Sequence, residues 1–150
     1  MKKLNLEIDI DASREKIWAS IVDVNLYRLW AVEFIEGSYF EGGWKKGDAI
    51  QFLVLNEAGK EEGMVSEIAE SDYPNFISIR HLGYIMDGVT DTTSDLVKAW
   101  APSYENYTLE ALGDQKTRFK LDMEVEDDYY DMMLEMWQRA IQKLKLINER

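Results

Sequence analysis

Between Phe119 and Asp127 the chain changes its repeat. Phe119, Leu121, Met123 and Val125 alternate with Lys120, Asp122 and Glu124, the period-two pattern of a strand with one buried face. From Asp127 onward Met133, Trp137, Ile141, Leu144 and Ile147 recur at helical spacing, with Tyr130, Leu134 and Ala140 beside them. Asp127, Asp128 and Asp131 crowd the start of this stretch and Arg139, Lys143, Lys145 and Arg150 lie toward its end, and both placements suit the helix dipole. The chain thus ends in one helix of about twenty residues, and its apolar stripe needs a surface to bury against.

The rest of the chain supplies that surface as strands. Leu4, Leu6, Ile8 and Ile10 alternate with polar neighbours, as do Tyr107, Leu109 and Ala111. Ile50–Leu55, Gly63–Ala69 and Phe76–Tyr84 read as a meander, punctuated by Asn56-Glu57-Ala58-Gly59-Lys60 and Ser71-Asp72-Tyr73-Pro74-Asn75. Gly37 to Asp48, with its glycines and Trp44, reads as a strand and a tight turn. After the first strand, Ser13 caps a short helix carrying the pairs Ile17/Ile21 and Trp18/Val22, and Asn25 caps a second ending near Trp30. Met86 to Tyr104 exceeds the ~12–15 residues beyond which an irregular connection is uncommon. There Thr92, Thr93 or Ser94 caps a short helix through Trp100, stopped by Ala101-Pro102. Segregated strands and helices predict an α+β fold over one domain, residues 1–150: a curved antiparallel sheet wrapped around the long C-terminal helix.

Composition removes several functions. The 150 residues carry 17 basic and 29 acidic side chains, a net charge of −12, so nucleic acid and anionic lipid surfaces are repelled. With no cysteine there is no thiolate nucleophile and no Cys-ligated zinc. Charge interrupts Met1-Lys2-Lys3-Leu4-Asn5-Leu6-Glu7 before any signal-peptide core of about 7–15 apolar residues can form. No stretch reaches the roughly 18 apolar residues of a spanning helix, so no membrane insertion and a cytoplasmic location are expected.

Local motifs offer little catalytic chemistry. Gly37/Gly42 and Gly42/Gly47 have phosphate-loop separation but lack the following Lys-Ser/Thr. The acidic residues around Asp127 are accounted for by the helix dipole, and neither a metal nor any other cofactor is expected. His81 is the single histidine, on a strand face with Ile77, Ile79 and Gly83, and spacing reveals no second catalytic partner.

Strings in consistent order carry a resemblance across nearly the whole chain. These are Ala12-Ser13-Arg14-Glu15-Lys16-Ile17-Trp18, Trp44-Lys45-Lys46-Gly47, Glu62-Gly63-Met64-Val65, Val97-Lys98-Ala99-Trp100, Glu105-Asn106-Tyr107-Thr108-Leu109, and Trp137 to Leu144 with Lys145. The chain resembles the START-like (SRPBCC) superfamily, and within it bacterial homologues of the activator of the heat-shock-protein-ninety (Hsp90) ATPase. The resemblance implies a helix-grip fold with an apolar cavity between sheet and C-terminal helix. Its expected lining is Phe52, Ser66, Ile79, His81, Trp100, Tyr107, Leu109, Phe119, Leu121, Met123, Met133 and Trp137, with His81, Ser66 and the Tyr107 hydroxyl as its polar members. It also places Met86–Tyr104 at the cavity mouth, as a mobile lid or a fixed flap. The expected partner is an apolar or amphipathic small molecule. The alternatives are a cyclase or hydratase with His81 as acid–base, and a chaperone-interacting domain, a partner that no residue pattern supports.

Overall fold

The hydroxyl of Ser13 accepts a hydrogen bond from the Lys16 amide at 3.2 Å and starts the first helix, as expected. The second is capped differently. Asp23, not Asn25, accepts from the amides of Asn25 and Leu26 at 2.9 and 3.2 Å. Both residue types cap well, and the tight junction between the helices puts Asp23 one residue ahead of the first turn.

A computed structural model describes residues 1–150. In chain order it contains β1 (Lys2–Ile10), α1 (Arg14–Val22), α2 (Val24–Ala31), β2 (Tyr39–Gly42), β3 (Ala49–Leu55), β4 (Glu61–Asp72), β5 (Phe76–Met86), β6 (Val89–Asp91), α3 (Asp95–Lys98), β7 (Ser103–Gly113) and β8 (Lys116–Val125). A single 3-10 turn, Asp127–Tyr129, leads into α4 (Tyr130–Asn148). The strands form one antiparallel sheet in the order β1-β8-β7-β5-β4-β3-β2, with β6 attached to β5. This is the α+β architecture expected from the segregated strands and helices, and the helix-grip arrangement that the resemblance implies.

Helix α4 lies on the inner face because its apolar stripe has nowhere else to go. Trp137, Ala140, Ile141 and Leu144 are buried there with Leu4, Ile10, Ile77, Tyr107 and Phe119 from the strands. The Trp137 ring meets Phe34, Tyr107 and Trp30 at centroid separations of 4.8, 5.9 and 6.1 Å. Polar bonds fix the far end of the helix. The Lys145 ammonium donates to the Asp9 carbonyl at 2.8 Å, the Asp11 amide donates to the Glu149 carboxylate at 2.8 Å, and the Lys16 ammonium reaches the Asn148 carbonyl at 2.7 Å.

The connection after β5 is shorter and more ordered than its sequence suggests. It includes strand β6, and its helix, capped by Ser94, ends at Lys98 instead of Trp100. Gly83 lets this connection lie directly on β5, because a Cβ there would collide with the Asp91 carbonyl. Val97 is fully buried, and Trp100 packs on Tyr84 at 4.8 Å. Asp91 braces the approach to α3 by accepting from the Ser94 and Thr93 amides at 3.0 and 3.2 Å.

Two expectations follow. Trp137→Ala should cost about 3–5 kcal/mol in urea denaturation, the range for aromatic truncation in a core; a loss below about 1 kcal/mol would mean that α4 does not depend on this ring. Hydrogen bonds from the side chain and then the amide of Ser94 hold the Asp91 carboxyl below its ordinary value of 3.8. A depressed carboxyl contributes its stability above its unfolded value and loses it as pH falls through the lower folded value. Amide exchange over residues 92–101, corrected for intrinsic rates, should therefore accelerate below about pH 4 relative to β8. Equal acceleration in Asp91→Asn would remove Asp91 as the cause.

Candidate functional site

Sheet register brings four polar side chains together on the inner face. Ser66 of β4 stands opposite His81 of β5, with register shifts in the β4–β5 pairing beginning just beside Ser66. On the other side, β7 places Glu105 opposite Ile79 and Tyr107 opposite Ile77. Glu105 is thus the diagonal neighbour of His81, within reach of a long side chain.

The four form one chain of hydrogen bonds. Ser66 Oγ lies 2.6 Å from His81 Nδ1, and His81 Nε2 lies 3.1 Å from Glu105 Oε1. The Tyr107 hydroxyl donates to Glu105 Oε2. A carboxylate only accepts, so Nε2 carries a proton toward Glu105; in the neutral imidazole Nδ1 then accepts from Ser66. Ser66, His81 and Tyr107 are buried, and only 14% of the Glu105 side chain is exposed. The carboxylate has no lysine or arginine in ion-pair contact; its one such partner is His81.

Tyr27 of α2 lies near the group through Phe52 and was not anticipated. Its ring sits 6.2 Å from Phe52, which in turn lies 6.0 Å from the His81 ring. Burial first and the charge of Glu105 second push the Tyr27 phenol far above its ordinary range, and no hydrogen bond contributes. Tyr107 is raised by the same causes in the same order, with Tyr27 and the bond to Glu105 adding to them. Both phenols keep their protons at neutral pH. Glu105 also went unrecognised, although alternation along β7 puts it in phase with Tyr107. The run Glu105-Asn106-Tyr107 held that signal.

Most of the residues named from the sequence share this inner face of the sheet or pack against it. Phe52, Ser66, Ile79, His81, Tyr107 and Trp137 surround the polar chain or adjoin it, while Leu109, Phe119, Leu121 and Met123 extend the same buried face. Met133 is half-buried at its margin. Trp100 stands apart, against Tyr84 and outside the main core. Aromatic rings fill much of the space between sheet and α4. Shallow depressions of about 340 Å³ beside Glu7, Lys120 and Asp122, and of about 370 Å³ beside Arg28, Tyr39 and Leu55, lie on other surfaces. No group of acidic or histidine side chains is arranged to hold a metal ion.

No family model matches the chain, and no curated protein matches it in sequence. Solved structures do. The solution structure of the Aha1 dimer from Colwellia psychrerythraea superposes with a TM-score of 0.69 at 18% identity, over 97% of that chain and 99% of this one. A protein from Arthrobacter aurescens gives 0.71 at 15% identity, covering 83% of that chain and 95% of this one. Protein Ms6760 from Mycobacterium smegmatis gives 0.68 at 17% identity, covering 89% and 97% respectively. At these identities the likeness is one of fold: a curved antiparallel sheet gripping a long C-terminal helix.

Replacing Tyr107 by Phe leaves the ring packing and deprives Glu105 of a donor. The expected cost is about 1–3 kcal/mol in chemical denaturation, the penalty for an unmatched buried group. Tyr39→Phe, whose hydroxyl makes only a 3.4 Å contact with Glu61, should change stability by less than about 0.5 kcal/mol. Equal effects from the two would show that the buried bond carries no special weight.

Proposed function

We propose that the protein binds an apolar or amphipathic small molecule between the inner face of the sheet and α4, with the Ser66–His81–Glu105–Tyr107 chain meeting its polar group. One observation carries this reading: the Glu105 carboxylate, only 14% exposed on the inner face, has no lysine or arginine partner and meets only His81 and Tyr107. Such burial costs several kcal/mol before compensation, and apolar residues of similar volume would serve stability as well or better. Local choices that work against stability concentrate at functional sites. An apolar enclosure with a few convergent polar groups is the usual form of a small-molecule site.

A second reading, an enzyme of the cyclase or hydratase kind, is favoured by His81 itself. An imidazole held between a hydroxyl and a carboxylate has its tautomer set for proton transfer. Ser66 is an unsuitable nucleophile, being almost wholly buried in the middle of a strand. Catalysis would therefore rest on acid–base exchange at His81 alone.

Gentle purification followed by denaturation and mass spectrometry tests the first reading. Amphipathic molecules should leave with the parent protein in near-stoichiometric amount. His81→Gln should retain a cooperative unfolding transition and release a different set. Identical sets would remove His81 from the site, and no recovered molecule from either protein would count against binding. Turnover of a recovered molecule, lost in His81→Ala, would favour the enzyme.

A further inference from the structure

The site's hydrogen-bonding capacity is unevenly divided, and the imbalance specifies what it can receive. Ser66 spends its proton on His81 Nδ1, His81 spends its Nε2 proton on Glu105, and Tyr107 spends its own on Glu105. What remains along this chain is lone pairs: on both Glu105 oxygens, on Ser66 Oγ and on the Tyr107 oxygen. The chain carries the negative charge of Glu105, with no lysine or arginine in contact to offset it. Against these acceptors stand a few unspent protons: the Ser103 hydroxyl opposite His81, the Tyr27 hydroxyl on a side chain 6% exposed, and the buried indole N–H of Trp44, whose ring lies 5.9 Å from Phe52.

We infer that the polar group of the guest is a neutral hydroxyl. This rests on the binding reading above and narrows it. A hydroxyl can accept from one of these donors while donating to an acceptor of the chain, so it meets both kinds of unspent capacity at once. An ammonium can donate to Glu105 but leaves these protons unmatched. A carboxylate or phosphate brings a second negative charge beside Glu105 inside a poorly screened interior, where like charges repel most strongly. Ser103, opposite His81, is the other buried polar side chain in register with this row, and it brings no compensating charge.

Three probes with one hydrocarbon tail test the assignment: 1-decanol, decylammonium and decanoate, titrated at pH 8 with tryptophan fluorescence as readout. The titrations are repeated in 1 M salt, where the Debye length is about 3 Å and the overall negative charge no longer steers the outcome. Decanol should bind about tenfold or more tightly than decanoate at both salt concentrations, and more tightly than decylammonium. At least one of Tyr27→Phe, Ser103→Ala and Trp44→Phe should weaken decanol and leave decylammonium unchanged. Glu105→Gln should bring decanoate to within about threefold of decanol. Decanoate binding as tightly as decanol to the parent protein would overturn the inference and leave the binding reading standing. A preference for decylammonium would overturn the neutral hydroxyl alone. If none of the three binds, the binding reading falls and the inference falls with it.

Discussion

The seating of Trp137 joins α4 to α2, to the turn after it and to the sheet. Its ring touches Trp30 of α2, Phe34 in the turn that follows, and Tyr107 on β7. Tyr107 in turn supports Glu105, and Tyr27 packs on Trp30 at 5.1 Å. The position of α4 therefore fixes the ring cluster, and the ring cluster fixes the orientation of the polar chain. Aromatic pairs in edge or tilted contact add about 0.5–1.5 kcal/mol each beyond their buried area, so the seat is both strong and directional.

A tension runs through this interior. The sheet and helix could have been sealed with aliphatic side chains, yet the central rows carry a serine, a histidine and a glutamate. Each is individually satisfied: Ser66 by His81, His81 by Ser66 and Glu105, Glu105 by His81 and Tyr107. A fully connected polar network of this kind is tolerated, whereas removing any one member strands its neighbour. The indole N–H groups of Trp44 and Trp100 are buried without a partner, so satisfaction is not uniform across the molecule.

The large elements were legible because each has a period. Phe119–Val125 alternates without interruption, and the stripe from Met133 to Ile147 keeps helical spacing, so the sheet and the gripped helix followed from arithmetic on positions. Smaller features escaped for physical reasons. Asp23 and Asn25 are equally good caps on sequence alone, and only the abrupt junction of α1 with α2 decides between them. Strand β6 is three residues long, too short to show alternation. Trp100 has the character of a cavity aromatic but belongs to a connection that packs on Tyr84. Glu105 was hidden by its type: an acidic residue in a strand is ordinarily read as solvent-facing. Its neighbour in phase, Tyr107, pointed the other way.

The pairing of β1 with β8 has a consequence for how the chain comes together in time. Lys2 stands opposite Val125 and Ile10 opposite Thr117, so a nine-residue strand is matched by a strand made long after it. On the ribosome, Leu4, Leu6, Ile8 and Ile10 must wait with their hydrogen-bonding edge unfilled until the rest of the sheet has emerged. The C-terminal fastenings, Lys145 to Asp9 and Asp11 to Glu149, come later still. Pairings between such distant segments lose loop entropy before they gain contacts, which places closure of this seam late and makes it slow. The two lysines at positions 2 and 3 and the charged residues Glu7 and Asp9 then act as guards. They keep a waiting strand from pairing with a neighbouring chain before its own partner exists.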